Sequence, residues 1–188
     1  SDKGFPELKM DVVPKCCDEF AREAHGSPLL MQRFCARLCS HYEVEKTLPS
    51  TKQFNPSTAA KEEIFQQVAE QAGFPTFEKL SKGPQSRSQR IGRRMVDGSG
   101  TLDIYQSTLR AIANTGPREK LNYSEIREAL REILIESDMP QKHEISSALG
   151  HMSGIAKDEM RGEPVLEWSD DFLYLTDPFL MFYMRWSQ

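Results

Sequence analysis

The chain has 188 residues, a net charge of -4 and 28% charged side chains. That length suffices for one large domain or two small ones whose core needs neither disulfides nor metals. The acidic balance argues against a dedicated nucleic-acid binder unless a local basic patch overrules it. No apolar run is long enough for a signal segment or a bilayer span. A start at Ser1-Asp2-Lys3 reads as a piece of a longer protein.

The cysteines, Cys16, Cys17, Cys35 and Cys39, form no Cys-x-x-Cys pair, and His25 and His41 do not stand at finger-like spacing. They read as packed thiols in a reducing cytoplasm, with no metal site. Cys35 and Cys39 are four apart, one above the other on a helix.

In chain order, Phe5–Asp11 is a leader, and residues 12–25 show helical spacing at Val12, Val13, Cys16, Cys17, Phe20 and Ala24, with Pro14 in the first turn. Gly26 ends that helix. Ser27 then caps, and Pro28 opens, a helix to about His41 with Leu30, Phe34 and Leu38 inward. Residues 44–57 form a connector, and a helix over 59–72 ends at Gly73, followed by a short helix capped at Thr76. Residues 82–94 are the one strongly basic stretch: Lys82, Arg87, Arg90, Arg93 and Arg94, with no acid among them. They read as an exposed linker or, more sharply, as a phosphate-contacting arm.

From Thr101 the pattern becomes regular. Leu102, Ile104, Tyr105, Leu109 and Ile112 mark a helix stopped at Asn114-Thr115-Gly116-Pro117. A helix over 123–136 opens at Ser124, with Arg127 where a capping box would prefer Glu. Residues 143–160 form the next helix, 164–176 a hairpin around Ser169-Asp170-Asp171, and Asp177-Pro178 starts a closing helix. The expected fold class is mainly α: a helical lid-like bundle (1–45), a helical connector with the basic linker (46–99), and a winged helix-turn-helix domain with a small β-hairpin (100–188).

Two stretches resemble the region downstream of the nucleotide-binding core in prokaryotic AAA+/STAND-type ATPases. Phe20-Ala-Arg-Glu-Ala-His-Gly-Ser-Pro-Leu-Leu-Met31 is similar to their lid helices, and Leu173-Tyr-Leu-Thr-Asp-Pro-Phe-Leu-Met-Phe-Tyr-Met-Arg-Trp186 to the ending of the winged helix that follows. The resemblance implies that Gly26, Ser27 and Pro28 lie beside adenine or ribose, with the upstream core of the same chain as partner. It also implies ATP or ADP with magnesium as cofactor of the parent protein, though none for this piece. The phosphate loop Gly-x-x-x-x-Gly-Lys-Ser/Thr and the acidic Walker B run are missing, so no hydrolysis is expected here. His41, His143 and His151 stand beside no recognisable nucleophile, and no catalytic residue is expected.

The implied role is a non-catalytic regulatory module that couples nucleotide state to a protein partner. The alternative is double-stranded DNA. The candidate reader helix sets two lysines, Lys142 and Lys157, against Glu144, Asp158 and Glu159, and the wing carries Glu163, Glu167, Asp170 and Asp171. Acid there repels a phosphate backbone. The tentative DNA residues are therefore Arg87, Arg90, Arg93 and Arg94, joined by Arg127 and Arg131 if they merge into one patch.

Overall fold

The computed structural model describes residues 4–72, 75–86, 88–116, 118–159 and 164–187. The chain is mainly helical with small sheets, and it divides into two compact units, Ser1–Gly73 with Trp186–Gln188, and Phe74–Arg185. These boundaries fall elsewhere than the expected 45/46 and 99/100. Among the described residues no helix is long and apolar enough to cross a membrane.

In the first unit, α1 (Gly4–Glu7) and β1 (Met10–Val12) precede α2 (Pro14–Glu23) and α3 (Pro28–His41); β2 (Lys52–Phe54) and α4 (Thr58–Ala72) follow. The expected helix over 12–25 is shorter. Val12 belongs to β1, which runs parallel to β2 in the register Met10↔Lys52 to Val12↔Phe54. Proline restricts the residue before it to extended backbone, and Val13 accordingly takes φ -54° and ψ 135°, so the helix starts at Pro14. The connector thus contributes a strand. Phe20, Phe34 and Phe65 meet with ring centroids 5.1 to 5.6 Å apart, and Leu30, Leu38 and Ile64 are buried with them. The Gly73 stop lies outside the described residues.

The second unit holds α5 (Pro75–Lys82), β3 (Arg93–Arg94), β4 (Thr101–Leu102), α6 (Ile104–Asn114), β5 (Lys120–Asn122), α7 (Tyr123–Ile133), a 3-10 turn (Glu136–Asp138), α8 (Lys142–Glu159), β6 (Leu166–Ser169), β7 (Phe172–Leu175) and α9 (Pro178–Trp186). Strands β5, β7 and β6 form one antiparallel sheet in that spatial order. Its inner leucines, Leu121, Leu173, Leu175 and Leu166, join Leu109, Ile112, Ile126, Leu130, Ile145 and Leu149 in one core.

Four sequence expectations for this unit change. The end of the 82–94 stretch is no free linker: β3 pairs with β4, and Met95 bridges Leu134 on its other side, so residues 93–96 run as a strap between two chain segments. For the same reason the 123–136 helix stops at Ile133, where Leu134 turns extended (φ -111°, ψ 144°) to meet the strap. Leu102 lies in β4, and α6 begins after the cap Asp103. Asn122, not Ser124, caps α7: its side chain accepts from the Glu125 N–H at 3.0 Å, and Glu125 accepts in return from the Asn122 N–H at 2.8 Å. Counting from the true cap therefore supplies the glutamate of a capping box. As expected, Asp177 caps α9, accepting from the Leu180 N–H at 2.7 Å.

Replacing Asn122 with alanine removes half of that box and should lower the stability of this unit by about 1 kcal/mol, whereas Ser124→Ala should change it by less than about 0.5 kcal/mol. Paired urea melts of the two variants check the assignment, and equal losses would contradict it.

Candidate functional site

In the first unit the corner His25-Gly26-Ser27-Pro28 is built as the sequence suggested. His25 and Gly26 both take left-handed backbone (φ 47° and 74°), and Ser27 caps α3 by accepting from the Leu30 N–H at 3.3 Å. Pro28 lines a groove of about 400 Å³ together with Phe5, Leu8, Met31, Cys35 and Cys39, and no charged side chain is among its lining residues. Of the corner residues, Pro28 alone is among the described residues that line this groove. Phosphates need cations, and the described lining residues supply none. Burial pushes the Cys16 thiol up to about 12 and the Cys35 thiol up to about 11, so both are neutral at pH 7 and poor nucleophiles.

In the second unit the structure places three of the suggested DNA-contacting arginines on the strap and its approach, each against an acid. Arg90 donates to Asp103 at 3.0 Å and to the carbonyls of Lys82 and Pro84. Asp103 in turn caps α6, accepting from the N–H groups of Tyr105 and Gln106. The Arg90 guanidinium also lies 4.5 Å from the Tyr105 ring centroid, and the Tyr105 hydroxyl sits 2.8 Å from Nδ1 of His151. Gly83 makes this packing possible: a Cβ there would come within 2.7 Å of the Tyr105 ring.

Arg93 is the most enclosed, with its side chain 8% exposed; it donates to Glu144 at 2.7 Å and to the Asp138 carbonyl at 2.8 Å. Arg94, 63% exposed, grips both oxygens of Asp138 at 2.9 Å, and its backbone N–H donates to the same carboxylate at 2.8 Å. Arg94 holds the Asp138 carboxyl well below the usual carboxylate range. The Gln141 N–H, and after it Arg93, lowers that of Glu144.

Arg87 lies outside the described residues. Arg127 and Arg131 stand one turn apart on α7; the acids that hold the strap do not hold them, and Nε of Arg127 is buried without a hydrogen bond. Arg90, Arg93 and Arg94 thus follow one another along residues 90–94, each paired with an acid, and none of those pairs involves Arg127 or Arg131. The lysines of α8 are also engaged, Lys142 with Asp171 and Lys157 with Glu167, each at 3.1 Å.

Sequence reading missed Asp103, Asp138, Glu144, Tyr105 and His151 as the partners. A signal existed for one: Asp103-x-x-Gln106 is a capping box in plain view. Nothing local marks Arg93–Glu144, which are 51 residues apart. Among the described residues no three His, Cys, Asp or Glu side chains converge as metal ligands. Comparison with family models, with curated proteins and with solved structures returns no match to the chain.

Both strap carboxylates have folded-state pKa values below their unfolded ones. The stability they contribute is thus complete above the unfolded carboxylate range, about pH 4–5, and is lost as pH falls through the depressed values. The wild type should lose stability on acidification from pH 5 to pH 3, and a Glu144→Gln, Asp138→Asn variant should lose less over that interval. Breaking the enclosed pair by Arg93→Ala should lower stability by about 2 kcal/mol or more, and Arg94→Ala by distinctly less because that pair is solvent-screened. Denaturant melts of the set read both effects; equal costs for Arg93 and Arg94 would contradict the geometry.

Proposed function

We propose that this chain is a non-catalytic interaction module of an AAA+/STAND-type ATPase: a lid-like bundle and a winged helix that pass nucleotide state in an upstream core to a protein partner. The winged-helix reading is supported by the order α6, β5, α7, α8, β6, β7 with the sheet order β5-β7-β6. The lid reading is supported by the left-handed Gly26 and the capped Ser27-Pro28 corner. That corner lies beside an apolar groove, which fits contact with adenine or ribose and leaves the triphosphate and magnesium to the core.

The observation that carries a protein partner over DNA is the commitment of Arg90, Arg93 and Arg94 to Asp103, Glu144 and Asp138. Non-specific DNA affinity comes from cations free to replace counterions at phosphates. An arginine already paired with a carboxylate must first break that pair. On α8, Lys142 and Lys157 face the same difficulty, and Asp170 and Asp171 at the hairpin tip are exposed acids. Arg127 and Arg131 favour the DNA alternative, because the acids of the strap leave them uncommitted.

Fluorescence anisotropy with random-sequence duplex DNA separates the two. The interaction-module reading predicts no binding below about 100 μM even at 20 mM salt. Micromolar affinity falling steeply with salt would overturn it; loss of that binding in an Arg127→Ala, Arg131→Ala variant would then assign it to α7.

A further inference from the structure

Helix α3 lines the groove that the lid reading gives to adenine or ribose, and that reading leaves its sulfur atoms without a role. Met31, Cys35 and Cys39 follow one another at four-residue steps, which stacks their side chains in a single row along one face. All three line the apolar groove of about 400 Å³ beside α1. At the far end of the row, the Cys39 Sγ lies 3.7 Å from the Met10 Sδ, brought there by β1. Two thiols and the Met31 thioether therefore border one groove, and the Met10 thioether stands against Cys39. They are half-buried rather than sealed, except for Met10. None of these sulfurs is in a disulfide.

A row of this kind discriminates among cations. Zinc wants four nitrogen, oxygen or thiolate ligands in a tetrahedron, and no third such ligand converges on Cys35 and Cys39 among the described residues. Calcium and magnesium want oxygen, and among the described residues the one such side chain lining the groove is the amide of Gln32. Soft sulfur ligands at low coordination number select Cu(I). The spacing fits as well: residues four apart on a helix hold their Cβ atoms about 5–6 Å apart, close enough for two thiolates to share one ion.

We propose that this row is a Cu(I) site, with the Cys35 and Cys39 thiolates as principal ligands and the thioether of Met10 or Met31 completing the coordination. On binding, two S–H bonds break, two S–Cu bonds form and two protons leave to solvent; no electron is transferred. The apolar walls keep water from the ion and so disfavour its oxidation to the divalent state, which prefers nitrogen and oxygen ligands. The site shares its groove with the lid reading but rests on the sulfurs of α3 and β1 alone, so copper binding is tested without nucleotide.

The test is anaerobic titration of the intact chain with Cu(I) under a non-thiol reductant, in competition with a chromophoric Cu(I) chelator. One equivalent should be withdrawn from the chelator. Cys35→Ser and Cys39→Ser should each weaken binding at least about 100-fold and Met10→Leu about tenfold, while a Cys16→Ser, Cys17→Ser variant stays within about threefold of wild type. A wild-type chain that withdraws no copper overturns the proposal, as does an equal loss in the Cys16, Cys17 variant. X-ray absorption of the loaded wild type needs no variant to fold: a shell of two or three sulfurs supports the site, and nitrogen or oxygen ligands overturn it.

Discussion

The second unit depends on a guanidinium enclosed between two chain segments. Arg93 reaches the carbonyl of Asp138 and the carboxylate of Glu144, with only 8% of its side chain exposed. An ion pair taken out of water yields little net stability, because desolvation offsets most of the Coulombic attraction; removing one partner is nevertheless expensive. What such a pair supplies is position. Here it fixes where residues 93–96 lie, and three further features follow. Leu134 leaves helical backbone to bridge Met95, which ends α7. Glu144, held by Arg93, spends its other oxygen on the Gln141 N–H and so orders the first turn of α8. Asp138, held by Arg94, shapes the turn between those helices.

That arrangement explains why part of the structure is legible in the sequence and part is not. The helices of the second unit announce themselves through the periodic Leu109, Ile112, Ile126, Leu130, Ile145 and Leu149, because burial of one face imposes the 3.6-residue period. The Ser27-Pro28 and Asp177-Pro178 starts are legible because capping and proline act within three residues. The hairpin tip is legible as a turn, but not its geometry: Asp170 and Asp171 both take positive φ (54° and 60°), a turn in which glycine or asparagine is usual. The strap is illegible. Lys82, Arg87, Arg90, Arg93 and Arg94 with no acid among them look like an exposed basic run, and the acids that neutralise the described arginines come from 13 to 51 residues away. Local pattern carries no information about pairs closed over such distances.

The consequence reaches function. A run of arginines reads as a phosphate-binding arm only while its charges are free. Once they are matched to Asp103, Glu144 and Asp138, the same residues hold a fold together and the surface they leave behind is closer to neutral. In the first unit the logic is reversed. The Gly26-Ser27-Pro28 corner is legible, but the groove beside it is not, because Phe5 and Leu8 come from a segment far from α3 in sequence. Cys35 and Cys39 are visible in the sequence as a four-residue spacing that reads as packing; the groove is what adds Met31 to the row and makes it accessible.

The central claim is that residues 93–96 are a structural strap rather than a mobile arm, and native-state hydrogen exchange tests it most directly. Val96 donates its N–H to the carbonyl of Ile133, Ile135 donates to Arg94, and Met95 donates to Gly100. The account predicts that the amides of Met95, Val96 and Ile135 exchange as slowly as those in the middle of α7, opening only with the unit as a whole. Exchange at those three positions as fast as at the exposed Gly98-Ser99 turn would contradict it, and would return the arginines to the pool of free cations.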